Sequence, residues 1–298
     1  MRPGRIFCVW FDHLSLDEWY TTAYMDLFWW GLVVAFGYGI VIGSFLNVYI
    51  YRLHTGRSLA GRSHCMSCGT TLRWYDLLPV VSYLWLRGRC RYCSSYITSR
   101  YALVELLTGV LFVGVMLVVS DWLLLALYSL VMSVLVVVLV YDYYHLIIPD
   151  KLVVALLVLA ALVLGQSWWL VGDAWGLLLD IASALAGGGF FALLWVVSKG
   201  RWIGLGDAKL AVPLGLLVGA ELVFSLVVVA FWIGAMISLA YLAYVQLMRR
   251  GQPHLRFLPQ QLTMKSEVPF APFLILSFWS IFFFSVDALS VSEWIIRL

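Results

Sequence analysis

Charge is what this chain has least of. Among 298 residues there are 16 acidic and 19 basic ones, 12% charged in all, against 63% hydrophobic. Soluble domains carry about 25% charged residues, so the composition excludes a soluble fold and implies a polytopic membrane protein. The mean hydropathy of +0.96 agrees. Residues 1–25 lack the continuous apolar core of a cleavable signal peptide and mix Arg2, Arg5, Asp12, Asp17 and Glu18 with aromatics. A short periplasmic interfacial tail and an over-extended start before Met25 are the two readings of that segment. No serine, cysteine or histidine constellation suggests nucleophilic catalysis, so the chemistry falls to a few carboxylates.

What is present is apolar and periodic. Windows near 20 residues place about eight spans, at 27–49, 101–119, 122–141, 151–166, 175–198, 208–219, 221–247 and 269–289. The sixth is short and contains Pro213, which suggests a broken or re-entrant helix lined by protein. The net charge of +3 says little, but its distribution is uneven. Arg52, Arg57, Arg62, Arg73, Arg87, Arg89, Arg91 and Arg100 crowd residues 52–100, with only Asp76 against them. A nucleic-acid patch is the alternative, but basic residues between two spans more often set topology, and no nucleic-acid partner is expected. Alternate connectors hold Lys151, then Lys199, Arg201 and Lys209, then Arg249, Arg250, Arg256 and Lys265, while those between them hold none. Positive-inside bias puts the basic set in the cytoplasm and both termini outside. The expected order is a periplasmic tail (1–26), a first transmembrane helix (27–51), a cytoplasmic cysteine-bearing domain (52–100) and a transmembrane catalytic domain (101–298). Small residues at Gly37-Tyr38-Gly39, Gly43-Ser44 and Gly187-Gly188-Gly189 suit close helix packing. Tryptophans near span ends suit interfacial anchoring in lipid.

Against this background Asp142 and Asp207 need a reason. Each stands at the border of an apolar run, on the expected cytoplasmic side. An ionisable group within a membrane helix costs about 2.5–3.5 kcal/mol at the centre by insertion scales, and marks function by default. Two carboxylates that meet cannot both ionise easily, so they share a proton. That is the minimum apparatus for splitting a peptide bond with water. Asp150 is a rival to Asp142, but it opens the next apolar run, where a carboxylate caps free N–H groups. Asp142 ends a span, where the helix dipole disfavours an anion. His145 falls about a turn further on and reads as an interfacial histidine. Gly204 and Gly206 in Gly204-Leu205-Gly206-Asp207 permit close backbone approach, for instance by an extended substrate. Lys209 either neutralises a nearby carboxylate or marks the cytoplasmic side.

Cys65-Met66-Ser67-Cys68 and Cys90-Arg91-Tyr92-Cys93 are two CxxC knuckles 21 residues apart. That spacing matches a four-thiolate zinc site, with redox pairs or empty thiols as alternatives. A reducing cytoplasm disfavours structural disulfides there. His64 is not needed as a ligand, and Cys8 is bland. Between the knuckles, residues 74–86 are apolar but too short to span. They read as a surface-lying piece, either a landing strip for a substrate helix or packing for the loop.

Together these residues resemble the bacterial type IV prepilin peptidases, the leader peptidase/N-methyltransferase family of GxGD aspartyl proteases. The resemblance runs from about residue 30 to 289. It is carried by Gly43-Ser44-Phe45-Leu46-Asn47-Val48 with Arg52, both CxxC pairs, Arg100-Tyr101 with Val104-Glu105-Leu106, Asp142 with Ile148-Pro149-Asp150, Gly204 through Lys209, and Pro269-Phe270-Ala271-Pro272-Phe273. It implies an all-α polytopic protein of the bacterial inner membrane, with active site and zinc loop cytoplasmic. The substrate it implies is a prepilin or pseudopilin with a charged leader and a hydrophobic N-terminal helix. The activity is removal of that leader, then methylation of the new N-terminus from S-adenosylmethionine. By the family pattern Asp142 and Asp207 are the catalytic pair, with Pro149, Gly204, Gly206 and Lys209 in support. Cys65, Cys68, Cys90 and Cys93 are implied to hold structural Zn2+. Ala271 stands where the family usually has glycine, and Pro213 where it has a small or apolar residue. No glycine-rich fingerprint marks a methyl-donor site. Glu105 and Asn47 are polar candidates for it, with interhelical hydrogen bonding as their plainer role. Two rivals remain: a related peptidase with another helical substrate or no methylation, and a non-catalytic scaffold whose carboxylates line an ion path.

Overall fold

The computed structural model describes residues 18–55, 61–251 and 270–288. Among them there is no strand, only the isolated bridges His64–Thr71 and Arg89–Tyr96. The helices are α1 (Glu18–Thr55), α2 (Val81–Trp85), α3 (Arg100–Val118), α4 (Trp122–His145), α5 (Asp150–Val171), α6 (Ala174–Ser198), α7 (Leu205–Val218), α8 (Val223–Gly251) and α9 (Ala271–Phe284). Helix is the expected form for such runs, because it satisfies every backbone polar group internally where water is absent. Proline placement agrees. Pro79, Pro149 and Pro272 sit at helix starts, where a missing N–H costs little.

Six stretches are long and apolar enough to cross a membrane: Phe28–Leu53, Arg100–Val118, Trp122–His145, Asp150–Trp169, Ala174–Ser198 and Val223–Tyr244. The chain is a membrane protein. The other two expected spans form as α7 and α9, of 14 residues each. At 1.5 Å per residue such a helix covers about 21 Å, less than the ~30 Å hydrocarbon core. The expected break at Pro213 does not occur. α7 runs through Pro213 and forgoes one backbone bond there.

The chain divides into two compact units, Met1–Val140 and Tyr141–Leu298. In the first, α1 packs along α3 through glycines. A Cβ on Gly39 would lie 2.8 Å from Gly109 Cα, and one on Gly43 would lie 2.7 Å from Glu105 Cα. Gly37, of the same patch, faces nothing within 4 Å. In the second unit α7 is the central element, packed against α5, α6, α8 and α9. Gly188 of α6 admits Val212, and a Cβ on Gly215 of α7 would meet Ala184 Cα at 3.0 Å. Leu210, Leu214, Leu274, Ile275 and Phe278 are fully buried there.

Candidate active site

The second unit brings Asp142 and Asp207 together from elements 65 positions apart in sequence. Asp142 lies in the last turn of α4. Its backbone carbonyl accepts from Leu146 N–H at 2.8 Å, and Leu146 then turns left-handed at φ 55° and ends the helix. Ile147, Ile148 and Pro149 lead directly into α5. Asp207 is the third residue of α7. Its Oδ2 accepts the Gly204 N–H at 3.2 Å, and the Ala271 N–H at the start of α9 also faces its carboxylate. A carboxylate at a helix start is well placed, since free N–H groups and the positive dipole end converge there.

Both side chains are buried, with Asp142 5% exposed and Asp207 7%. They are near enough for the charge of Asp142 to act on Asp207. Asp142 Oδ2 is buried without a hydrogen-bond partner, a costly state that a native structure keeps for a reason.

Two contacts tie the α4–α5 connector to the start of α7. Ile148 packs on Gly206, where a Cβ would meet its side chain at 3.2–3.3 Å. Asp150 accepts from Lys209 Nζ at 2.7 Å. The first contact gives Gly206 an internal reason to lack a side chain, so close approach there is by Ile148. The second modifies the capping expectation for Asp150. The residue does open α5, but the bond recorded for its side chain crosses to α7, because Lys209 stands opposite. Lys209 therefore neutralises a nearby carboxylate, and that carboxylate is Asp150. Pro149 is the N-cap residue of α5, and Gly204 that of α7. His145 remains helical and packs its ring on Tyr141, centroids 4.6 Å apart. Sequence reasoning named Ile148 and Ala271 within motifs but missed the contact of Ile148 with Gly206 and that of the Ala271 N–H with Asp207. The second had a signal, since Pro272 marks a helix start whose free donors need acceptors.

In the first unit, the four expected cysteines gather. The Sγ atoms of Cys65, Cys68, Cys90 and Cys93 lie within 4.8 Å of one another, and the cluster can hold a metal ion. Cys65 and Cys93 sulfurs are 3.8 Å apart, far beyond the ~2.05 Å of a disulfide. The two knuckles fold alike. Cys65 N–H donates to Thr70 carbonyl at 2.9 Å, and Cys90 N–H to Ser95 carbonyl at 2.8 Å. Left-handed residues, Gly69 and Ser94, follow the second cysteine of each. Backbone N–H groups of Cys68 and Ser67 hold the Cys65 thiol down to about 6, and the Ser95 hydroxyl and N–H lower that of Cys93. Thiolates are what a metal binds. His64 stays outside the cluster. Asn47 of α1 donates to Tyr101 carbonyl of α3 at 3.0 Å, the interhelical bond expected of it. Glu105 of α3 likewise bonds the Ser44 hydroxyl of α1, and it also accepts the Val80 N–H at 2.7 Å. Residues 74–86 form a 3-10 turn and α2, with Trp74, Leu84 and Trp85 exposed. Cys8, Arg57, Arg256, Lys265 and Pro269 lie outside the described residues, as do the side chains of Arg249 and Arg250.

Comparison with known proteins places this arrangement. Residues 38–119 match the Bacterial Peptidase A24 N-terminal domain, and residues 129–239 the Type IV leader peptidase family. A prepilin leader peptidase/N-methyltransferase of Burkholderia pseudomallei (strain 1026b) is 30% identical over 283 residues, 82% of this chain and 83% of the relative. The type 4 prepilin-like proteins leader peptide-processing enzyme of Escherichia coli O78:H11 is 32% identical over 249 residues, covering 74% and 87%. A prepilin leader peptidase/N-methyltransferase of Bacillus subtilis (strain 168) is 30% identical over 249 residues, 81% and 89%. No solved structure matches the chain. From its paired family models and from relatives matched over most of their length, this chain belongs to the type IV leader peptidase family.

Proposed function

We propose that this protein is an aspartyl endopeptidase of the bacterial inner membrane that removes the leader of type IV prepilins or pseudopilins, with Asp142 and Asp207 as its catalytic pair. It then methylates the new N-terminal residue. The observation that carries the pair is the meeting of two buried carboxylates from α4 and α7, within electrostatic reach of each other.

Two such groups share one proton. The ionised member takes a proton from water as the water oxygen attacks the scissile carbonyl. The protonated member polarises that carbonyl, and the pair then delivers a proton to the departing amine as the C–N bond breaks. Gly204 N–H and Ala271 N–H hold Asp207 in position. Ile148 on Gly206 fixes the connector that follows Asp142. The basic connectors 199–204 and 145–151 flank the pair, and positive-inside bias puts this end in the cytoplasm. That is where a charged leader stays while the apolar helix behind it remains in the bilayer.

The four thiolates fit zinc. A tetrahedron with Zn–S near 2.3 Å has sulfur–sulfur edges of about 3.8 Å, the separation seen between Cys65 and Cys93. Zinc bound there cross-links the two knuckles. S-adenosylmethionine, when bound, supplies an electrophilic methyl group to the substrate amine.

The test is incubation of purified protein with a prepilin and S-adenosylmethionine, reading the product N-terminus by mass spectrometry. Cleavage should be lost in Asp142→Asn and in Asp207→Asn. Robust cleavage by either variant would overturn the assignment of the pair.

A further inference from the structure

Between the two cysteine knuckles of the first unit runs a segment whose apolar side chains face outward. Trp74, Leu77, Leu78, Val81, Leu84 and Trp85 are all exposed, Leu84 by 69% and Trp85 by 81%. Backbone bonds from Ser82 to Leu78 and from Leu84 to Val80 wind the chain as helix here, so apolar residues three and four apart share one side. Leu78, Val81 and Trp85 line one shallow groove of about 210 Å3, together with Tyr75, Ser82 and Arg91. Tyr83 and Leu86 line instead the cavity of about 630 Å3 between α1, α3 and the cysteine loop. The segment is thus two-sided, with one side turned to the loop and the other bare.

Its depth is fixed by a hydrogen bond. Val80, just before α2, donates its N–H to Glu105 at 2.7 Å. Glu105 stands five residues into the span Arg100–Val118, about 7.5 Å from its loop end at 1.5 Å per residue. The same carboxylate takes the Ser44 hydroxyl, and Ser44 stands nine residues before the end of the span Phe28–Leu53. The 19 residues of Arg100–Val118 cover about 28 Å, close to the ~30 Å hydrocarbon core. Glu105 therefore lies just inside the edge of that core, with its side chain leaning back toward the helix start. Val80 is held where acyl chains give way to headgroups, and at that level lipid is what flanks a membrane protein. The charges agree with this. Arg73, Arg87 and Arg89 are exposed around the apolar side, and none forms an ion pair among the described residues. Asp76 is the sole acidic residue of 61–100, and Arg91 occupies it at 2.7 Å.

We propose that residues 74–86 are an interfacial anchor seated in the bilayer. Leu78, Val81, Leu84 and Trp85 enter the upper acyl layer, while Arg73, Arg87 and Arg89 meet lipid phosphates. Glu105 sets the depth of the anchor through Val80, and the anchor holds the cysteine cluster against the membrane. The groove suits an acyl segment and is too small to seat a substrate helix about 10–12 Å across.

Photolabelling of the purified full chain in phosphatidylcholine nanodiscs tests this, with a phosphatidylcholine that carries a diazirine on an upper acyl carbon as the probe. Peptide mapping by mass spectrometry should find lipid adducts within 74–86 as well as on α1 and α3, which serve as the internal reference. Leu84→Glu combined with Trp85→Glu should lower adducts in that segment about tenfold, because carboxylates leave an apolar layer, with bound metal and α1 adducts unchanged. If that variant does not fold, the wild-type map decides alone. Wild type without adducts in 74–86, or a folded variant labelled as strongly as wild type, overturns the anchor. Adducts that vanish when a prepilin is added in excess also overturn it, and make the segment a landing strip for the substrate.

Discussion

Gly206 is the glycine whose missing side chain bears most directly on Asp207, its neighbour in the chain. A methyl there would press on Ile148 at 3.2–3.3 Å, and overpacking of this kind costs about 1–3 kcal/mol. We expect Gly206→Ala to lower kcat/KM on a prepilin by roughly tenfold, since about 1.4 kcal/mol is a factor of ten. Ile148→Ala in the same chain should restore much of it; a double variant no better than the single one would show that the glycine serves another contact. Asp150 is the contrasting case. Its pair with Lys209 is solvent-exposed on both sides, and exposed pairs contribute about 0–1 kcal/mol. Asp150→Asn should therefore cleave within a fewfold of wild type, and a loss as deep as that expected of Asp142→Asn would make Asp150 a member of the machinery. Both aspartates of the pair were legible in the sequence, because a carboxylate is conspicuous in an apolar run. The contact of Ile148 with Gly206 was not: the resemblance names Ile148, but an isoleucine among apolar residues does not show its neighbour across the fold.

For whole helices, the α1–α3 pair gives a differential test. Gly43 faces Glu105 Cα at contact distance, whereas Gly37 faces nothing within 4 Å. Gly43→Val should lower the melting temperature in detergent by several degrees and Gly37→Val should change it little. Equal effects would mean that this glycine stripe does not set the packing distance. The sequence showed where small residues cluster but not which of them meets a partner, because one helix's pattern does not identify the face opposite. Hydropathy located the long helices well. It could not separate α7 from a span, since a short apolar helix covered by protein and a segment covered by lipid look alike in composition. The break expected at Pro213 does not form for a related reason, whereas the short helix lined by protein does. Loss of one backbone bond is tolerable when neighbouring helices hold the segment in place, and Pro213 is buried among them.

At the scale of the molecule, the two units divide the chemistry. The first carries the cysteine cluster and the cavity, the second the carboxylate pair. Replacing all four cysteines with serine should remove about one equivalent of zinc per chain, read by metal analysis of purified protein; unchanged zinc would refute the knuckle assignment. The placement of α7 carries a further consequence. Helices in contact with lipid adjust their tilt when the bilayer thickens or thins. α7 is held by α5, α6, α8 and α9, so Asp207 takes its depth from protein. Cleavage should then vary little across vesicles of different acyl-chain length, even where the outer helices re-tilt. Such an enzyme carries its own ruler for where a substrate helix meets water, and the bilayer need not supply one.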